Sequence, residues 1–181
     1  SGPFLHVPML THLLSRPRRV FALIALACVA MLAFAIGYLQ HVVGLNPCPM
    51  CIVQREAFIG LALFSALAAL SRRAWAQWLW GLLGVAVALF GAFTAARQSW
   101  LQWNPPEFAS CGRDLYGMIE SLPLSRVVPL VFSGSGECSA VDWTLLGGSI
   151  ANWSFLGFVG VGLVIIATLV ASGRPQTAQA L

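Results

Sequence analysis

Charge is what this sequence has least of. Only 9% of its 181 residues are Asp, Glu, Lys or Arg, lysine does not occur at all, and six acids stand against ten arginines. A soluble globular domain carries charge on about a quarter of its residues, so this surface could not be kept in water. With 59% hydrophobic residues and a mean hydropathy of +0.82, the chain belongs in a bilayer. The formal net charge of +4 would suit a nucleic-acid partner, but the positions of the arginines argue against one. Arg16, Arg18 and Arg19 precede the first apolar run, Arg72 and Arg73 separate the second from the third, and Arg174 follows the last. Charges that hug the ends of apolar runs set membrane topology.

Four runs are expected to cross the membrane. Val20 to Leu39 carries no charge, and twenty helical residues match a hydrocarbon core of roughly 30 Å. It is followed by no small-residue cleavage site, so it is expected to stay as a span; the opening Ser1-Gly2-Pro3, and the chain up to Met9, is left out of the fold argument. A second span runs over 51–70, with Pro47 and Pro49 tolerated at its start because the first helical turn has unpaired N–H groups anyway. The third covers 75–96, flanked by Trp75, Trp78 and Trp80 at one end and Trp100 and Trp103 at the other, as interfacial tryptophans would be. The fourth covers 152–171. Between the last two, residues 98–143 hold Pro105, Pro106, Pro123, Pro129, the Ser133-Gly134-Ser135-Gly136 run and most of the acids. A polar loop that long is usually functional or disordered; its apolar pieces, 115–122 and 127–132, suit a membrane surface.

These features predict an all-α integral membrane protein, an antiparallel four-helix transmembrane bundle with a long outer loop between spans three and four. The arginine-rich ends read as cytoplasmic, which puts both termini inside and all six acids at or beyond the opposite interface. Gly81, Gly84 and Gly91 in span three, and Gly157, Gly160 and Gly162 in span four, would let backbones approach closely, or simply reflect how common glycine is in such spans.

Four of the five cysteines fall on the outer side. Cys48 and Cys51 form a C-x-x-C at the mouth of span two, in a compartment where thiols can be oxidised. Helix-start N–H groups and the helix dipole favour a thiolate at Cys51, and Arg55 follows one turn deeper. A thiolate is the nucleophile of disulfide exchange. The same spacing could be half of a zinc site, but only Cys111, Cys138 and His41 could complete it, at an unusual spacing. Cys111 and Cys138 lie in the loop among Pro, Gly and Ser; they are a structural staple or, beside a C-x-x-C on the same face, the second pair of a relay. Cys28, among Ala, Leu and Val, reads as a small buried hydrophobe. Arg55 enters the membrane edge, where it either pairs with Glu56 or snorkels, or donates to a quinone carbonyl. Arg97 reads as an interfacial anchor.

The run Asn46-Pro47-Cys48-Pro49-Met50-Cys51-Ile52-Val53-Gln54-Arg55 resembles the signature of the bacterial disulfide bond formation protein B (DsbB) family. Phe108-Ala109-Ser110-Cys111, Gly136-Glu137-Cys138, and Trp143 with Leu145-Leu146-Gly147 extend the resemblance over all four spans and both outer loops. It implies an inner-membrane, quinone-dependent oxidoreductase, using ubiquinone or menaquinone, that reoxidises a periplasmic DsbA-like thioredoxin-fold protein. By resemblance Cys111 takes the attack of the partner thiolate, Cys138 exchanges with Cys48, Cys51 faces the quinone, and Arg55 stands at its head group. One position departs from the pattern: where relatives often carry His, this chain has Gln98. Gln98 can donate a hydrogen bond but cannot become a cation, which puts a protonation role there in question. A vitamin K epoxide reductase-like protein would share the chemistry, but its C-x-x-C typically lies late in the chain. A membrane scaffold with stabilising disulfides is the alternative from another class.

Overall fold

The computed structural model describes residues 12, 15–44, 49–104, 141 and 143–173. They form four helices, each long and apolar enough to cross a membrane. Helix α1 spans Pro17–Ala33, with proline in the first turn where its missing N–H costs nothing. It continues over Phe34–Val42 in a wider winding, closed by Val43 N–H to Tyr38 C=O, an i→i+5 bond of the π type. Helix α2 is Pro49–Leu70 and α3 is Ala74–Trp103. A two-residue hairpin pairs β1, Thr144–Leu145, with β2, Gly148–Ser149. Helix α4 follows at once over Ile150–Ser172. The chain is an all-α integral membrane protein, an antiparallel bundle with its long loop between α3 and α4.

Helix α3 sits between α2 and α4, while α1 packs mainly on α2 and touches α4. In lipid the hydrophobic effect does not pull helices together, so close packing must. One face of α3 presents Gly81, Gly84, Ala88, Gly91 and Ala95, all buried. A Cβ on Gly81 would stand 2.9 Å from Leu169 Cδ1, and one on Gly91 would collide with the Phe158 ring. Gly162 approaches Ala88, but Gly160 has nothing within 4 Å. Close approach therefore explains the α3 glycines and not every glycine of α4. Phe158 stacks on Phe58 at 4.1 Å between centroids, and with Phe21, Cys28, Leu61 and Ile165 it forms the fully enclosed core. Leu26, Leu63, Leu89, Phe93 and Leu163 are exposed and face the lipid.

Two features depart from expectation. The third span was expected to close at 96, with loop from 98; the helix instead runs two turns further, to Trp103, and carries Gln98, Ser99 and Gln102 with it. Polarity ends an apolar run but not a helix, since Ala, Arg, Gln and Leu all favour helix. It stops at Asn104, ahead of Pro105 and Pro106, which disfavour its continuation. The hairpin was not anticipated either. Its turn residues Leu146 (φ 53°) and Gly147 (φ 83°) both have positive φ, the pattern of a type I′ turn. Trp153 Nε1 donates to Leu145 C=O at 2.9 Å and holds the hairpin on the first turn of α4. The apolar loop pieces at 115–122 and 127–132 lie outside the described residues.

Candidate functional site

The bundle has two unlike ends. At one, arginines close the helices: Arg18 Nε donates to Ala69 C=O at 2.8 Å, satisfying a carbonyl in the last turn of α2. At the other end the C-terminal part of α1, the start of α2, the last turns of α3 and the start of α4 come together, and there carboxamides and a thiol stand beside Arg55.

Cys51 lies in the first turn of α2 and is half-buried. Gln54, three residues on, falls on the same helix face, and both meet Gln98 of α3. Gln98 Nε2 donates to Cys51 Sγ at 3.3 Å, and the Cys51 thiol can donate in turn to Gln98 Oε1 at the longer distance of 3.8 Å. Gln54 Nε2 donates to Gln98 Oε1 at 2.6 Å. Gln54 and Gln98 are 4% and 3% exposed, so water does not compete for these bonds. Met50, with Leu101 against it, packs beside Cys51.

Arg55, also half-buried, donates from Nη1 to Gln40 Oε1 of α1 at 3.0 Å. Its partner there is a neutral amide, while the adjoining Glu56 is exposed. A little further round, Ser149 Oγ donates to Gln102 Oε1 at 2.6 Å and accepts from Asn152 N–H at 3.4 Å, capping α4 and tying it to α3. Ser99 Oγ is buried without a partner among the described residues. Arg97 is exposed.

Of the residues singled out from sequence, Cys51 and Gln98 are brought into direct contact, with Arg55 one turn deeper on α2. Cys48, Cys111 and Cys138 lie outside the described residues. Cys28 is enclosed in the core of the bundle, remote from this end of the helices. Gln54 and Gln40 were missed. The signal for Gln54 was available, because an amide inside an apolar span is costly enough to suggest a function.

A half-buried cysteine in the first turn of a helix, with a buried amide donor on its sulfur and a guanidinium one turn on, is suited to thiol chemistry. The family profile described as disulfide bond formation protein DsbB matches residues 17–168. The chain belongs to the DsbB family. Proteins named disulfide bond formation protein B in Paracidovorax citrulli and Acidovorax sp. are 62% and 60% identical to it, over 88% and 92% of this chain and 90% and 95% of theirs. The one from Verminephrobacter eiseniae is 64% identical over 87% of this chain and 89% of its own. As a DsbB protein, the chain is a membrane oxidoreductase of disulfide bond formation.

Proposed function

We propose that this DsbB protein reoxidises a periplasmic DsbA-like thioredoxin-fold protein and delivers the electrons to membrane quinone, ubiquinone or menaquinone. The observation that carries the reading is the Cys51 sulfur, half-buried at the lipid edge, with an amide N–H at 3.3 Å and the Arg55 guanidinium one turn below. The donor set fits a quinone: its carbonyl oxygens accept hydrogen bonds, and Gln98 and Arg55 supply N–H groups at one end of the bundle. A bound quinone would take up two electrons and two protons.

The residues then act in sequence. The partner thiolate attacks Cys111, and Cys138 leaves as a thiolate from the Cys111–Cys138 disulfide. The partner's second thiol closes its own disulfide and releases Cys111. Cys138 next attacks Cys48 of the Cys48–Cys51 disulfide, freeing the Cys51 thiolate. Cys111 resolves the Cys138–Cys48 bond, leaving Cys48 and Cys51 reduced. Re-forming their disulfide gives up two electrons and two protons, equal to what the partner lost. Gln98 stabilises the negative sulfur of Cys51, and Arg55 stabilises charge on the acceptor oxygen. A quinone sink is needed because an ordinary dithiol cannot reoxidise a strongly oxidising partner, each 30 mV being worth about 1.4 kcal/mol.

The segregation of arginines supports an inner-membrane placement with both termini cytoplasmic and the active cysteines periplasmic. The test is turnover: the purified full-length protein with ubiquinone should oxidise a reduced thioredoxin-fold substrate, and Cys51→Ser should not. Absence of quinone-dependent oxidation by the unmodified protein would favour a scaffold.

A further inference from the structure

Gln98 can serve a thiolate only if its amide nitrogen, and not its carbonyl oxygen, faces the sulfur. The two ends of a carboxamide have nearly the same shape but opposite effects. An N–H stabilises a negative sulfur, whereas a carbonyl lone pair repels it and favours the neutral thiol. Packing alone does not choose between them. The Gln98 oxygen is engaged by the 2.6 Å bond in which Gln54 Nε2 donates to Gln98 Oε1. With its oxygen engaged by Gln54, the Gln98 carboxamide turns its nitrogen to Cys51 Sγ, 3.3 Å away against 3.8 Å for the oxygen. Both carboxamides are more than nine-tenths buried, so turning either one alone would set two carbonyl oxygens, or two amide groups, against each other with no water to relieve them.

We propose that Gln54 is a positioning residue of the reaction: it fixes the orientation of the Gln98 carboxamide so that its N–H points at the Cys51 sulfur and supports the thiolate. Gln54 acts through Gln98 and needs no contact with quinone or partner protein. The inference rests on the reading of Cys51 as the electron-donating thiolate, and it deepens that reading by naming what holds the donor in place.

The experiment measures Cys51 chemistry directly. Full-length protein in lipid nanodiscs is reduced, treated with iodoacetamide at neutral pH, and alkylation of each cysteine is followed by peptide mass spectrometry. Loss of an N–H bond to a charged acceptor should slow Cys51 alkylation about tenfold in Gln54→Leu, and similarly in Gln98→Leu. Because Gln54 works through Gln98, the double variant should be no slower than Gln98→Leu alone. Cys28, fully enclosed in the core, is the internal control; it should stay protected in every variant, which separates lost orientation from a loosened bundle. An unchanged or faster Cys51 rate in Gln54→Leu overturns the proposal, and so does a double variant slowed by the product of the single effects or a Cys28 that becomes reactive. Quinone-dependent turnover of the unmodified protein is measured in parallel. Its absence would remove the functional reading, whereas normal turnover with an unaltered Gln54→Leu rate would remove only the role of Gln54.

Discussion

Replacing Gly91 with alanine should destabilise the bundle although it adds a single methyl group. The new Cβ would overlap three atoms of the Phe158 ring. That ring cannot yield, because it is completely buried and backed by Phe58 at 4.1 Å in a near-parallel stack. Overpacking of this kind costs about 1–3 kcal/mol. Alanine also favours helix over glycine by about 1 kcal/mol, which offsets part of the loss and must be controlled for. Gly160→Ala supplies the control: it makes the same chemical change in α4, where nothing lies within 4 Å of the added carbon. The difference between the two variants then isolates the collision, about 1–3 kcal/mol in favour of Gly160→Ala. Unfolding in mixed micelles of rising SDS fraction, followed by circular dichroism, measures it. Trimming the ring in Gly91→Ala/Phe158→Leu should recover part of the loss, since residues in contact couple. Equal stability of Gly91→Ala and Gly160→Ala would refute the claim that α3 and α4 are held by backbone approach at this point.

Two further outcomes are expected. Ser149→Ala removes both the cap of α4 and the bond to Gln102, so it should cost about 1 kcal/mol or more; hydrogen exchange at the amides of 150–153 should quicken about fivefold, and unchanged exchange would deny the cap a role. Cys28→Ala should keep the proposed quinone-dependent turnover within about twofold of the unmodified protein, because a cysteine enclosed by apolar side chains acts as a small hydrophobe; a loss as large as that expected of Cys51→Ser would make it part of the proposed relay.

The spans were legible because lipid imposes a simple demand: a helix of about twenty apolar residues must cross it, and breaks in the apolar run show where. The place of Cys51 in a first helical turn was legible for a similar reason, since the prolines just before it mark where a helix can begin. Hydropathy could not show where α3 ends. Gln98 and Gln102 are polar, yet their backbones continue the helix, and only this extension brings Gln98 against Cys51. Nor could it show the partner of Arg55. Glu56 was the obvious candidate along the chain, but neighbours in sequence project from different sides of a helix, and the partner is Gln40 from another span. Gln54 was overlooked because the signature that contains it draws attention to its cysteines and arginine.

Helix α3 has 30 residues against 22 for α2. At 1.5 Å per residue that is about 45 Å against about 33 Å, so α3 matches a whole bilayer with its head groups while α2 matches little more than its oily interior. The thiol on the short helix is thus served by an amide on the long one, at the height where acyl chains give way to water. A membrane only a few ångströms thicker or thinner would change how far the half-buried Cys51 stands from water, or force the helices to tilt. A mismatch in membrane thickness would thus load α2 and α3 unequally, with no change to any residue.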